Sequence, residues 1–243
     1  MPAPESLSSP RPGHEDGQSS AKRSLLGWFV QRRMCWVPTW QSCCLLLLLL
    51  GLGSTLAFRH LYHFLAPNQP ASDGPCIIEA WIGDEELKTA LEESRKHPSP
   101  ILLVVGGPIE KDSSFASYVT YARLASDRLL HFGADPKTLQ TLDVPPVPRD
   151  RTYAEATYAR TWLQDHGYPT TRLNLISIGA HCRRSRLLYS KAFGPGAEIG
   201  ITSILDPEYD GDHWWRTSAG VRSVVGEAIA YGYARLVFQE HRE

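Results

Sequence analysis

The chain has 243 residues, with 25 basic against 26 acidic side chains and a formal charge of −1, so its overall electrostatics call for no nucleic acid. Of five cysteines, Cys35, Cys43 and Cys44 fall in an apolar N-terminal region, which leaves Cys76 and Cys182 and excludes a disulfide framework. Both sit in an apolar strand or beside a helix start, the setting of an inert buried thiol rather than a nucleophile.

Residues 1–35 are rich in Pro, Ser, Gly and charge and cannot bury enough apolar surface to offset ordering entropy, so they are expected to be a disordered tail. Residues 36–58 then carry Cys43-Cys44 and six consecutive leucines without an acid or base, enough for the ~20 residues that span a bilayer. Lys22, Arg23, Arg32 and Arg33 precede this segment, and Arg59 alone follows it closely. The positive-inside rule therefore keeps the tail cytoplasmic and the rest of the chain outside. A cleaved signal peptide is the rival reading; Thr55-Leu56-Ala57 is a poor cleavage site and the basic region is unusually long for a signal, which favours an uncleaved anchor.

After a linker, 59–74, residues 75–243 are enough for one domain. Apolar runs at Cys76–Ile82, Ile101–Val105, Leu142–Val144, Leu173–Ile178 and Ile199–Ile204 predict five strands. Helical periods fall between and after them, at Asp84–Lys96, Ser114–Phe132, Thr152–Asp165, His181–Ala192 and Ser218–Phe238. Such alternation predicts an α/β fold with a mostly parallel sheet covered by helices on both faces. In the last helix Val221, Val224, Val225, Ala228, Gly232 and Leu236 form an apolar stripe, assigned to packing against the sheet.

Chemistry-bearing residues gather where strands are predicted to end. Glu79 and Trp81 close the first strand, and Glu79 is a candidate crevice residue or the partner of a neighbouring arginine. Gly106 and Gly107 follow the second, where backbone turns tightly or approaches a ligand. Arg151 and Thr152 open the third helix, where free N–H groups and arginine could receive an anion. Thr152 with Glu155 reads equally as a capping box. Glu155 shares the buried face with Ala159 and Leu163 and is a candidate general base with His181 as its acid partner; a histidine satisfied by a backbone carbonyl is the plainer alternative. His181 and Arg184, one helical turn apart after the fourth strand, complete the anion site, whereas Arg186 is rotated away and expected to be solvated.

No G-x-G-x-x-G or Walker loop supports a nucleotide, and the cofactor, if any, is unknown. Asp206, Glu208, Asp210, Gly211 and Asp212 resemble the opening of a calcium loop, but position twelve is Thr217 instead of a bidentate Glu, so an acidic surface turn is favoured and no metal site is assigned. Trp214-Trp215 is read as core.

The order of Glu79 and Trp81, Gly106-Gly107, Asp150-Arg151-Thr152 and His181-x-x-Arg184 resembles the YdcF/SanA/ElyC family across most of 76–238. The resemblance implies a bacterial protein with one N-terminal membrane anchor, a Rossmann-like three-layer fold and a part in envelope integrity or envelope polymer synthesis. It also implies that Gly106, Gly107, Arg151, Thr152, His181 and Arg184 line the site. Many relatives have a Gly-rich first strand end and an acidic residue in the helix after the Gly-Gly loop, whereas this chain has Glu79-Ala80-Trp81 and a helix containing Tyr118, Tyr121 and Arg123, so its ligand is free to differ. Together these readings anticipate a single-pass protein of the bacterial inner membrane, held by lipid, with its domain outside the cytoplasm. Its partner would be an anionic small molecule or a lipid-linked saccharide, bound by either an enzyme or a non-catalytic assembly factor.

Overall fold

The computed structural model describes residues 39–109 and 119–239. The expected tail, the basic residues that set the expected orientation, Cys35 and the first residues of the second expected domain helix, 114–118, lie outside them. Helix α1, Trp40–Leu65, has a mean hydropathy of 1.9 over its most apolar window and is long and apolar enough to cross a membrane. It runs without a break through Thr55-Leu56-Ala57 and continues to Leu65, seven residues into the span read as linker. The extension has a packing cause: Tyr62 and Leu65 are buried and take part in the core of the following domain.

That domain contains β1 (Cys76–Glu79), α2 (Asp84–Ser94), β2 (Leu102–Gly106), α3 (Tyr121–His131), β3 (Leu139–Asp143) and α4 (Arg151–Asp165). β4 (Arg172–Ile178), α5 (Cys182–Phe193), β5 (Glu198–Ile204) and α6 (Ser218–Leu236) complete it. All five strands are parallel in the order β3-β2-β1-β4-β5, the Rossmann-like arrangement. Ile77, Leu103, Val105 and Leu175 face α4 and α5, while Ile78, Val104 and Ile176 face α2 and α3. Burial on both faces explains why the strands read as nearly unbroken apolar runs.

The final helix departs from expectation. Both sheet faces are already covered, so α6 packs instead against α5, the short turn of 3-10 helix at Gly211–Arg216 and the end of α1. Its buried side carries Gly220, Val224 and Ala234, and Val221, Val225 and Leu236 of the expected stripe are exposed. The expected core role of Trp214 matches its packing: it is fully buried, with its ring 4.5 Å from that of Phe58. Trp215 is only partly buried and has the Arg59 guanidinium 5.8 Å from its ring centre.

In this topology the chain runs outward from β1 to β3 and returns to the other side of β1 for β4. The strand order reverses between β1 and β4, and in open parallel sheets the crevice beyond the carboxyl ends of the strands at that point is where ligands bind.

Candidate functional site

Glu79 ends β1 at this reversal and is completely buried. An unpaired buried carboxylate would be costly, and two serine hydroxyls from the β4–α5 unit answer it. The Ser177 hydroxyl donates to Oε2, and the Ser185 hydroxyl lies 2.8 Å from Oε1 and 3.1 Å from Oε2. Nε2 of His181 lies 3.7 Å from Oε2, too far for a hydrogen bond. The serine hydroxyls hold Glu79 in place of the arginine partner considered above.

His181 closes a single 3-10 turn, Gly179–His181, where Gly179 adopts φ +45° between the strand and α5. Its Nδ1 is 2.9 Å from Oε1 of Glu227 on α6. Arg184 grips the same carboxylate with Nε at 2.7 Å from Oε2 and Nη2 at 3.0 Å from Oε1. Nη2 also comes within 2.9 Å of Nδ1, and a guanidinium can only donate, so the two contacts at Nδ1 demand opposite roles. A bare Nδ1 would set its lone pair against the carboxylate oxygen. We therefore assign a proton to Nδ1, donated to Glu227; in the neutral imidazole Nε2 is then the acceptor. That atom is buried and has no hydrogen-bond partner among the described residues. The Trp81 indole, 42 % exposed, stands edge-on to the imidazole at 5.0 Å and forms one wall beside it.

Burial alone would raise the Glu227 carboxyl, but the hydrogen bonds from Arg184 and His181 outweigh it and hold the group down at about 2. Glu227 is thus an ionised orienter of the imidazole. Proton uptake at Nε2 would leave an imidazolium between the carboxylates of Glu227 and Glu79.

Glu155 behaves in the opposite way. It is buried on α4, and burial, reinforced by the Glu79 charge, pushes its carboxyl up to about 8 against the opposing Gly107 N–H and the Arg151 charge. At neutral pH Glu155 is therefore mostly a protonated acid. The capping box does not form: α4 begins at Arg151, so Thr152 lies inside the first turn and the cap position is Asp150, with no side-chain cap bond. Asp150 has φ 54°, the one positive value among the described non-glycine residues, a left-handed conformation that Asp tolerates better than most. Glu155 is turned from its own helix end to the Gly107 amide.

The two glycines divide their roles. A Cβ on Gly106 would fall 2.8 Å from the Ala122 backbone nitrogen and 2.9 Å from the Ala80 Cβ, so helix–strand packing requires this glycine. A Cβ on Gly107 would meet nothing closer than 4.0 Å, and there the backbone amide serves Glu155.

Glu79, Gly107, Glu155, His181 and Arg184 thus belong to one connected region, with Arg151 and buried Thr152 at its α4 border. Glu155 and His181 do not bond to each other; Glu79, electrostatically coupled to the first and 3.7 Å from Nε2 of the second, lies between them. His181 bonds to no backbone carbonyl but to a carboxylate, and Arg184 is bidentate on Glu227 instead of reaching outward. Arg186 is not simply solvated: it donates to the Ile199 carbonyl at 2.8 Å and to the Gln69 side chain at 2.6 Å.

Sequence reasoning missed Ser177, Ser185 and Glu227. Ser185 follows His181 by four residues and so shares its face, and Glu227 follows buried Val224 by three, a spacing that marks an acid on an inward face. Elsewhere, Asp210 caps the Gly211–Arg216 turn through the Asp212 amide and contacts His213, so the acidic segment works as a structured turn. A cleft of about 360 Å³ lined by Arg95, His97 and Thr138 lies at the amino ends of the strands, away from this region. Burial raises both domain thiols to about 12, as expected of inert cysteines.

Neither a scan against protein-family models nor a search of curated proteins finds a match for this chain.

Proposed function

We propose that the chain is a membrane-anchored, YdcF/SanA/ElyC-like protein of the bacterial inner membrane. Its outward domain acts in envelope biogenesis or integrity on an anionic metabolite, free or lipid-linked and in the latter case sugar-bearing. The observation that carries an enzymatic reading is the His181 imidazole, fixed by Glu227 through Nδ1 while buried Nε2 has no partner among the described residues. A carboxylate-oriented imidazole with one unsatisfied nitrogen is equipped to take a proton from an attacking hydroxyl or water. Glu155, protonated at neutral pH, supplies the complementary acid and adds no repelling charge to a bound anion.

Arg184 works in this scheme as a positioning residue, since its charge is committed to Glu227. Anion binding then falls to exposed Arg151 and the amides at the start of α4. The resemblance in motif order supports the envelope assignment, and the long apolar α1 supports the anchor.

The second reading is a non-catalytic binding or assembly factor, favoured by the complete burial of Glu79 and its serine partners. Both are separated by incubating the full chain, in bilayer nanodiscs, with a panel of sugar phosphates and following binding and product release together. Turnover abolished by His181→Gln supports the enzyme. Binding without turnover in wild type and variant alike supports the assembly factor.

A further inference from the structure

The end of α1 is built into the candidate site. Tyr62 and Leu65 share a buried cluster with Ala180, the neighbour of His181, and with Val224, one turn before Glu227. Arg183 donates to the Phe64 carbonyl and lies 4.0 Å over the Phe64 ring, which in turn stands 5.6 Å from Tyr231 of α6. Slack is absent beyond the helix as well. Gln69 exchanges backbone hydrogen bonds with Ile201 at 2.7 and 3.0 Å, and the Ala71 N–H donates to buried Asn174 at 2.6 Å.

The apolar run of α1 ends at Phe58, and Arg59 beside Trp215 has the cation-and-indole character of a bilayer interface. Tyr62 and Leu65 follow Phe58 by four and seven residues, a rise of about 6 and ~10 Å along the helix. The turn that carries His181 thus packs, through Ala180, on the end of a helix continuous with the apolar run.

We propose that the site takes the phosphoryl headgroup of a lipid resident in the membrane that α1 crosses, in preference to the same headgroup free in solution. This rests on the acid/base reading of His181 only for what happens after binding. Anchor docking supplies the lipid selectivity, while Arg151 and neutral Glu155 supply the anion compatibility.

The test uses the full chain in phosphatidylcholine nanodiscs and two probes with one phosphomonoester head: long-chain phosphatidic acid in the disc and soluble dibutanoyl phosphatidic acid. Binding is read from the His181 side-chain nitrogen resonances. Wild type should favour the bilayer-borne probe at least tenfold at equal effective concentration. Inserting Glu-Ala-Ala-Ala-Lys-Glu-Ala between Ala57 and Phe58 lifts the domain by about 10 Å at nearly the same helical phase. That insertion should erase the preference and leave soluble-probe binding unchanged. Equal affinity for the two probes, a preference that survives the insertion, or binding of neither probe overturns the proposal. A lipid preference with no turnover would retain it and overturn the enzymatic reading instead.

Discussion

Glu155→Gln tests the electrostatic account of the site without knowledge of the ligand. Gln keeps an acceptor for the Gly107 amide and resembles the protonated acid in shape and charge. In the folded chain the Glu155 carboxyl is raised from 4.5 to about 8 by burial and by the Glu79 charge. A group raised in this way contributes stability that is fully present below pH 4.5 and is lost as pH rises through 8, because the unfolded chain releases the proton first. One such proton is worth about 1.4 kcal/mol per pH unit across a window of roughly 3.5 units, so the effect is bounded near 5 kcal/mol. The assay is denaturant unfolding of wild type and variant in the same detergent from pH 4.5 to 9, with the difference plotted so that other titrations cancel. The variant should match wild type at the acid end, gain on it steadily, and level off above pH 8. Adding Glu79→Gln should move the plateau to lower pH, since the Glu79 charge is the second cause of the shift. Parallel curves over the whole range would refute a buried, neutral Glu155.

Three further outcomes follow from the contacts. Glu227→Gln leaves Arg184 partly buried without its carboxylate and should cost ~2 kcal/mol, below the 3–5 of a fully buried pair because both side chains retain some exposure; the unfolding midpoint measures it. Because Glu227 is lowered from 4.5 to about 2, its contribution should be intact above pH 4.5 and vanish as pH falls through 2 in wild type, with no such loss in the variant. Arg186→Ala should cost about 1–2 kcal/mol through its lost contacts to Ile199 and Gln69, a clear loss that a solvated arginine would not show. A phosphatase fused after Glu243 should be active outside the membrane, given four basic residues before the apolar segment and Arg59 alone closely behind it; activity of a cytoplasmic reporter at that position would reverse the orientation.

Local chemistry determined the architecture. The apolar runs that became β1, β2, β4 and β5 are buried on both faces, so composition alone marked them, and the helical periods between them set a parallel sheet with two covered faces. β3 was least legible because its Gln140 and Thr141 interrupt the apolar signal, and it begins at Leu139 instead of Leu142. The strand-end position of Glu79 and the shared face of His181 and Arg184 were also readable, since strand ends and one helical turn are local relations.

What those groups bond to was decided by elements far apart in the chain. Glu227 reaches His181 only because α6, with both sheet faces occupied, packs on α5. Glu155 reaches Gly107 only because α4 crosses over the end of β2, drawing it from the local cap that its spacing from Thr152 suggests. Burial raises both glutamates and their partners separate them: the one gripped by Arg184 and His181 is held ionised, and the one beside the Glu79 charge, opposed by the Gly107 amide and the Arg151 charge, is held neutral. Identical side chains carry no such distinction in sequence, because the difference is a property of what surrounds each carboxyl.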